Sequence, residues 1–226
     1  MMRDWPSKPT PQYCRAVFLD RDGTINADTH YPHKVEKLEF IPKAIDGLRL
    51  LAKLPLDIIV VSNQAGIALG IFTREQMSQF NAELRARVER AGGRIDAFYY
   101  CPYREPKHLR PGERPYECSK PAPGMLLEAG KDFRLDLSRS FLIGDKTSDI
   151  AAGESAGCVT ILVKTGKAGK EEGALPIEPK HLAENLCEAA LIVQSYLDTT
   201  EVSFARRGSQ SMPEAAGLWS VGSDKS

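Results

Sequence analysis

The 226-residue chain has no apolar run long enough to cross a bilayer, and its first 15 residues lack the apolar segment of a secretory signal. Its formal net charge is zero, which removes any general electrostatic argument for nucleic acid or anionic membrane partners. Its five cysteines are scattered and odd in number, which favours reduced thiols over a disulfide framework. We therefore expect a cytoplasmic monomer without nucleic acid or membrane partners.

Apolar runs typical of strands alternate with helical patterns along most of the chain. The predicted strands are residues 16–19, 57–61, 97–101, 140–144 and 159–164, and the predicted helices are 41–54, 73–91, 124–133, 150–156 and 182–197. Thr73 and Gln76 have the spacing of a capping box at the start of the second helix. This alternation predicts a doubly wound α/β domain with a mainly parallel sheet.

Three segments fall outside this pattern or interrupt it. We expect residues 1–14 to form a flexible arm, residues 15–197 to form the domain, and the polar stretch 198–226 to be a disordered tail. Residues 102–123 contain six prolines and many charges, which predicts a long loop. Within this loop, we expect residues 102–119 to be an insertion that directly precedes the motif at Lys120. Loops of this length inside a compact domain usually serve function.

Two carboxylates, Asp20 and Asp22, directly follow the first predicted strand. Alternation along an extended segment sends both side chains to the same side, over the carboxyl edge of the sheet. One such carboxylate can be a nucleophile while its neighbour is a general acid and base. The alternative is a polar turn, since Asp-Gly is a common turn dipeptide.

Polar residues stand at the ends of predicted elements in three further places, namely Ser62 and Asn63, then Lys120, then Asp145, Lys146 and Asp149. Each cluster alone is a weak signal. Together they supply a nucleophile, an acid and base, a hydroxyl and a lysine for a phosphoryl group, and acids for a cation. Phosphoryl transfer needs this combination, because its transition state spreads negative charge over the equatorial oxygens.

In this order the stretches Asp-Arg-Asp-Gly-Thr, Ser-Asn, Lys-Pro and Gly-Asp-Lys-Thr-Ser-Asp resemble the four motifs of the haloacid dehalogenase superfamily of phosphohydrolases. Longer stretches, such as Ser-Asn-Gln-Ala-Gly-Ile-Ala-Leu-Gly and Lys-Pro-Ala-Pro-Gly-Met, are similar to the D,D-heptose 1,7-bisphosphate phosphatases, which are grouped with histidinol phosphate phosphatases. The resemblance covers roughly residues 15–195. It implies a Rossmann-like fold and hydrolysis of a phosphoric monoester.

The resemblance also implies a role for each motif residue. Asp20 attacks phosphorus and forms an aspartyl-phosphate, and Asp22 protonates the leaving oxygen and later deprotonates water. Mg²⁺ is held by Asp20, the Asp22 carbonyl and Asp145, with Asp149 behind these ligands. Phosphate and substrate are bound by Ser62, Asn63, Lys120 and Lys146, although Lys146 could instead pair with Asp149.

The chain departs from the family in its proline-rich loop. The family binds a structural zinc there through Cys-X-His and Cys-X-Cys, whereas here only Cys101 and Cys118 match and tyrosines occupy the other two positions. Even if His108 contributed, the tetrahedral site would be one ligand short, so we expect no zinc. Ser119 also replaces an arginine that contacts substrate in the family, which puts substrate identity in doubt.

The spacing between the motifs leaves no room for a large cap domain. Specificity must therefore come from a short flap at residues 27–40, the segment 64–72 and the loop 102–115. We expect a phosphatase that removes the 7-phosphate of D-glycero-D-manno-heptose 1,7-bisphosphate. The alternatives are a histidinol phosphate phosphatase, another small-molecule phosphomonoesterase, or a binding protein that has kept the fold without turnover.

Overall fold

The computed structural model describes residues 2–4, 13–103 and 116–208. Within these residues one sheet contains seven strands: β1 Met2–Asp4, β2 Ala16–Leu19, β3 Asp57–Asn63, β4 Ala97–Cys101, β5 Phe141–Gly144, β6 Val159–Val163 and β7 His181–Ala183. The α-helices in the same residues are α1 Ala44–Leu51, α2 Arg74–Arg90, α3 Gly124–Phe133, α4 Thr147–Ser155 and α5 Leu186–Gly208. None of these helices is both long enough and apolar enough to span a bilayer.

The order of the strands places a ligand site at the carboxyl end of β2. The order is β1-β4-β3-β2-β5-β6-β7, and all neighbours are parallel except β1 and β4. The chain builds β3 and β4 on one side of β2 and then crosses to β5 on the other side. Open α/β sheets bind ligands where the winding reverses in this way. The predicted doubly wound, mainly parallel fold is confirmed.

The core of the sheet follows the hydrophobic pattern of the sequence. All four residues of β2 are buried, and β3 is buried from Asp57 to Ser62, as expected for central strands covered on both faces. The predicted capping box opens α2, because Thr73 Oγ1 accepts from the Gln76 amide at 3.2 Å and Gln76 Oε1 accepts from the Thr73 amide at 2.8 Å.

Near its two ends the chain forms elements that the sequence pattern does not predict. Part of the predicted arm 1–14 is the edge strand β1, which pairs with β4 and is anchored by Arg3, whose guanidinium lies 2.6 Å from Asp132. Residues 181–183, where we predict the start of a helix, form β7, because β6 offers an open edge for pairing. The helix α5 continues into the predicted tail and ends at Gly208, since no proline or glycine interrupts it earlier.

The described residues belong to two compact units, which divide between Gln194 and Ser195. The first unit contains the whole sheet and all residues discussed below. In the second unit the described part is the end of α5, where Thr199 Oγ1 donates to the Ser195 and Tyr196 carbonyls. Residues 209–226 of the predicted tail lie outside the described residues.

The insertions before β3 and after β3 are short, as the spacing predicts. The flap, residues 27–40, leaves the domain after Asn26 and returns at Phe40, where the two residues form an antiparallel bridge. The His33 ring of the flap stacks on Phe72 with ring centroids 5.0 Å apart. Neither the flap nor the segment 64–72, which follows β3, contains a domain of its own. The described residues therefore include no large cap domain.

Candidate active site

The predicted site residues meet at the carboxyl edge of the three central strands. Asp20 follows β2, Ser62 and Asn63 end β3, and Asp145 follows β5. The Asp20 amide donates to the Ile143 carbonyl of β5 at 2.9 Å, which ties the end of β2 to its neighbour. Since parallel strands all present their carboxyl ends to one edge, residues 125 positions apart in sequence become neighbours here.

Lys120 links two of the carboxylates at the centre of the site. Its ammonium lies 2.6 Å from Asp20 Oδ1 and 2.6 Å from Asp149 Oδ1, and it donates to the Val61 carbonyl at 2.9 Å. Burial alone would lower the pKa of Lys120, but the Asp149 and Asp20 carboxylates outweigh it and raise this pKa. Lys120 is therefore a permanent positive charge beside Asp20.

Asp20, Asp145 and Asp149 form a buried cluster with carboxylate oxygens within 4.8 Å of one another. Asp20 Oδ2 and Asp145 Oδ1 are buried without a hydrogen-bond partner among the described residues. Asp149 Oδ1 forms an ion pair with the Lys120 ammonium, and Asp149 Oδ2 accepts a hydrogen bond from the Lys146 amide at 3.0 Å. The free oxygens of Asp20 and Asp145 suit a hard divalent cation, with Asp149 behind them.

Burial and crowding favour the protonated forms of two carboxyl groups. Burial, together with the negative charges of Asp20 and Asp149, raises the pKa of Asp145 to about 8 against the opposing charge of Lys146. Burial likewise raises the pKa of Asp20, although the Lys120 ammonium opposes this. Carboxylates crowded in this way are stabilised by a cation placed between them. The donor set therefore fits Mg²⁺.

The backbone packs closely around Asp145 and fixes its orientation. The Lys167 amide donates to Asp145 Oδ2 at 2.7 Å, which leaves Oδ1 to face the cluster. Gly23, with φ +100°, and Gly166, with φ +57°, both lie so close to the Asp145 carboxylate that a Cβ at either position would collide with it. Thr165 Oγ1 donates to the Gly23 carbonyl at 2.8 Å, which holds these two glycines together.

Four donors hold the Asp22 carboxylate. Arg21 donates to both of its oxygens, at 2.8 Å from Nε and 2.9 Å from Nη2. Asn26 Nδ2 donates to Oδ1 at 2.9 Å and Gln64 Nε2 to Oδ2 at 3.1 Å. Burial alone would raise the pKa of Asp22, but the Arg21 charge and the bonds from Arg21 and Asn26 lower it.

Ser62 and Asn63 have different surroundings at the end of β3. The Ser62 hydroxyl accepts from Gln64 Nε2 at 2.6 Å, so its own hydrogen can be donated to a phosphoryl oxygen. Asn63 instead pairs twice with the Lys120 backbone, donating to its carbonyl and accepting from its amide, each at 3.0 Å. Asn63 thereby positions Lys120, and its predicted contact with substrate stays a prediction.

Lys146 lies between the carboxylate cluster and the flap. Its ammonium is 3.9 Å from Asp145 Oδ1 and 3.9 Å from Asp28 Oδ2, and the nearby Asp20 charge helps to raise its pKa against the effect of burial. The alternative of a side-chain pair with Asp149 is not observed, since only the Lys146 amide contacts that residue. The Lys146 ammonium can therefore contact an anionic group that binds between the carboxylate cluster and the flap.

Comparisons with known proteins agree with this geometry. Residues 117–189 match the HAD-hydrolase-like (haloacid dehalogenase-like) family model. The chain is 40% identical over 164 residues to D-glycero-beta-D-manno-heptose-1,7-bisphosphate 7-phosphatase of Pasteurella multocida, covering 70% of this chain and 86% of that relative. The chain belongs to the haloacid dehalogenase-like phosphatases. It is accordingly an enzyme of the phosphoric monoester hydrolase class.

Other members of this family give the same picture. The enzyme of the same name from Escherichia coli K12 is 38% identical over 177 residues, covering 78% of this chain and 87% of the relative. A solved structure from Mesorhizobium loti, described as a HAD-like phosphatase, superposes with a TM-score of 0.72 at 30% identity, covering 87% and 92% of the two chains. D,D-heptose 1,7-bisphosphate phosphatase from B. bronchiseptica, solved with magnesium and phosphate, shares the fold with a TM-score of 0.70 at 24% identity, covering 80% and 98%.

This haloacid dehalogenase-like phosphatase closes its proline-rich loop with a disulfide. Cys101 and Cys118 are joined, with their Cα atoms 5.4 Å apart, so the prediction of reduced thiols is wrong for this pair. The pairing arises because the loop returns beside the end of β4, a contact that sequence spacing does not show. Tyr103 and Tyr116 stack beside it with ring centroids 3.9 Å apart. Residues 104–115, including His108, lie outside the described residues.

We expect no stoichiometric zinc in this loop, because two sulfurs joined to each other are not thiolate ligands. Elemental analysis of protein purified without an affinity tag tests this before and after reduction. One zinc per chain in the native protein, lost on replacing Cys101 and Cys118, would contradict the prediction.

The disulfide should contribute to stability. Replacing both Cys101 and Cys118 with serine should lower the free energy of unfolding by about 3 kcal/mol, the chain-entropy estimate for a loop of this length. Denaturant unfolding of the oxidised wild type and the double variant gives the difference, with the exposed free cysteine variant Cys14→Ser as control. Equal unfolding free energies would show that the bond is not formed in solution.

Several contacts of the site residues were not predicted from the sequence. Arg21, Gln64 and the Lys167 amide contact the site carboxylates directly, yet their sequence patterns give no distinctive signal for this. The charge of Arg21 inside an otherwise buried motif was the one available hint. Ser119 is buried next to Lys120 in the chain.

Proposed function

We propose that this protein is a Mg²⁺-dependent phosphatase that removes the 7-phosphate of D-glycero-D-manno-heptose 1,7-bisphosphate through an aspartyl-phosphate intermediate. The observation that carries the chemistry is the contact of Asp20 with Lys120 at 2.6 Å. Beside it lie Asp20 Oδ2 and Asp145 Oδ1, which accept no hydrogen bond among the described residues. The choice of substrate is supported by the names of the curated relatives. A cytoplasmic location and a monomeric state remain our predictions.

The residues of the chain divide the reaction between them. Asp20 attacks phosphorus, the bond to the sugar oxygen breaks, and Asp22, which must carry a proton in the substrate complex although its surroundings lower its pKa, gives that proton to the oxygen. Asp22 then takes a proton from water, which attacks the phosphorus of the aspartyl-phosphate and frees inorganic phosphate and Asp20. Ser62 and Lys120 bind the phosphoryl oxygens throughout. Asp20, Asp145 and the Asp22 carbonyl would hold Mg²⁺, which would supply additional neutralisation of the phosphoryl charge.

A substrate panel tests this function. We expect the highest kcat/KM for the heptose bisphosphate among its two anomers, its monophosphates, histidinol phosphate and common sugar phosphates. Higher kcat/KM for histidinol phosphate would favour the alternative within the same group. No turnover of any phosphate ester would instead support the binding-protein alternative. Intact Asp20, Asp22, Lys120 and Asp145 argue against that alternative.

Lys146 should act on the phosphoryl group that reacts, because its ammonium lies 3.9 Å from Asp145 in the cluster. Replacing Lys146 with methionine should lower kcat/KM by about 10- to 100-fold, the effect of one hydrogen bond to a charged group. The loss should be equal for heptose 1,7-bisphosphate and heptose 7-phosphate. The exposed Lys164, paired with Glu184, provides the control variant Lys164→Met. A loss confined to the bisphosphate would place Lys146 on the distal phosphate instead.

The preference for the bisphosphate over the 7-monophosphate should be weak in the wild type. Ser119 provides no guanidinium for a second phosphate, and the fold has no large cap to supply another cation in the described residues. The same two substrates measure this preference. A strong preference would assign recognition of the second phosphate to the flap or to the loop 102–115.

A further inference from the structure

Arg21 is a buried cation inside the active site with no role in the mechanism above. Its side chain is only 1% exposed, although it stands between two residues that do chemistry. A buried guanidinium requires partners for its five N–H groups, and removing those partners is costly. The partners of Arg21 therefore show what it holds in place.

One side of the Arg21 guanidinium forms a planar fork with the Asp22 carboxylate, with distances of 2.8 and 2.9 Å. Bidentate pairs of this kind fix orientation as well as distance. Asn26 and Gln64 each add one donor, so each Asp22 oxygen accepts two hydrogen bonds and Arg21 supplies half of the total. Without Arg21 the carboxylate would lose its only bidentate contact among the described residues.

The other side of Arg21 contacts the flap and α2. Nη2 donates to the Pro32 carbonyl of the flap at 3.0 Å, and Nη1 donates to Asn81 Oδ1 of α2 at 3.0 Å. The guanidinium also lies over the Phe80 ring, 4.6 Å from its centroid. The rigid guanidinium of Arg21 thus joins Asp22 to the flap.

We propose that Arg21 is a positioning residue that orients Asp22 for proton transfer to the leaving oxygen and couples that orientation to the flap. The inference rests on the proposed function, since it assigns Arg21 a part in the same reaction. Asp22 acts on a sugar oxygen, whose alkoxide is a poor leaving group without a proton. A nitrophenolate leaves without one. The contribution of Arg21 should therefore depend on the leaving group.

The test compares two substrates of one enzyme. The aryl substrate is p-nitrophenyl phosphate, and the alkyl substrate is the sugar phosphate that the wild type turns over fastest in the panel above. We expect Arg21→Met to lower kcat/KM, which reports only the steps up to departure of the leaving group, by about 10²-fold for the alkyl substrate and by less than about 3-fold for the aryl substrate. Inhibition by inorganic phosphate should be unchanged, because Ser62, Lys120 and Asp20 remain in place.

Two further variants keep the test decisive. Arg21→Lys retains the charge but not the fork, so it should show the same selective loss if Arg21→Met fails to fold. Arg85→Met is the matched control, since Arg85, which is on α2, likewise lies over an aromatic ring, that of Phe98, and donates to a backbone carbonyl. Circular dichroism and thermal unfolding establish that each variant is folded.

The outcomes separate the inference from the proposed function. Equal losses for both substrates, or no loss in a folded Arg21→Lys, would overturn the positioning role while leaving the phosphatase mechanism intact. Asp22→Asn provides the benchmark, because its loss in kcat/KM should show the same selectivity for the alkyl substrate, while the loss of proton transfer from water lowers kcat for both substrates. A wild type that hydrolyses no sugar phosphate would overturn the proposed function, and the inference with it.

Discussion

Replacing Asp20 with asparagine should lower kcat by on the order of 10⁴-fold or more, because an amide cannot form the acyl phosphate that a carboxylate forms. The fold should survive, since asparagine has almost the same volume. Lys120 would keep Asp149, 2.6 Å from its ammonium, as a charged partner. Removing one carboxylate also relieves the crowding among the buried acids. Steady-state turnover together with thermal unfolding measures both effects.

The matched control for this variant is Asp57→Asn. Asp57 is also buried but begins β3, at the end of the sheet opposite to the site, so the same chemical change there should leave kcat nearly unchanged. Near wild-type turnover in a pure Asp20→Asn sample, free of deamidated protein by mass spectrometry, would exclude Asp20 as the nucleophile.

Chelation should remove activity reversibly without unfolding the protein. Asp20 Oδ2 and Asp145 Oδ1 offer oxygen ligands suited to Mg²⁺, and the cluster lacks the nitrogen and sulfur ligands that zinc prefers. A bound divalent cation contributes several kcal/mol to stabilising transition-state charge, so turnover should fall by about 10²-fold or more. Dialysis against a chelator, followed by stepwise return of Mg²⁺, measures the loss and recovery.

Two comparisons sharpen this experiment. Asp145→Asn should raise the Mg²⁺ concentration needed for half-maximal activity, whereas the buried control Asp57→Asn should not. Circular dichroism of the chelated wild type should match that of the native protein, because Lys120 and the Lys167 amide already hold Asp20 and Asp145. Full activity after exhaustive chelation would contradict a role for the cation.

The central part of the fold could be predicted because its strands and helices carry strong local signals. The uninterrupted β-branched run at 58–61 and the capping box at Thr73 are each sufficient to place their elements. β1 and β7 could not be predicted, because each has three residues and forms by pairing with the edge of a sheet already present. The start of α4 was placed three residues late, since the Asp149 carboxylate accepting from the Lys146 amide extends the helix to Thr147.

The candidate site was predicted from its motifs, and its supporting contacts were not. Asp20, Ser62 and Asp145 converge because strand ends in a parallel sheet share one edge, and Lys120 joins them from the turn before α3 through its backbone bonds with Asn63. The contacts of Arg21 and Gln64 with Asp22 depend on side-chain directions that the sequence does not show. The disulfide between Cys101 and Cys118 likewise depends on where a proline-rich loop returns.

Phosphorus NMR of D-glycero-D-manno-heptose 1,7-bisphosphate incubated with Mg²⁺ and the wild-type protein distinguishes directly which phosphate is lost. We predict that the resonance of the 7-phosphate decays while that of the anomeric phosphate persists, and that inorganic phosphate grows at the same rate. The Asp20→Asn variant should leave both resonances unchanged over the same time. Loss of the anomeric phosphate, or an unchanged spectrum with the wild type in excess Mg²⁺, would contradict the proposed function.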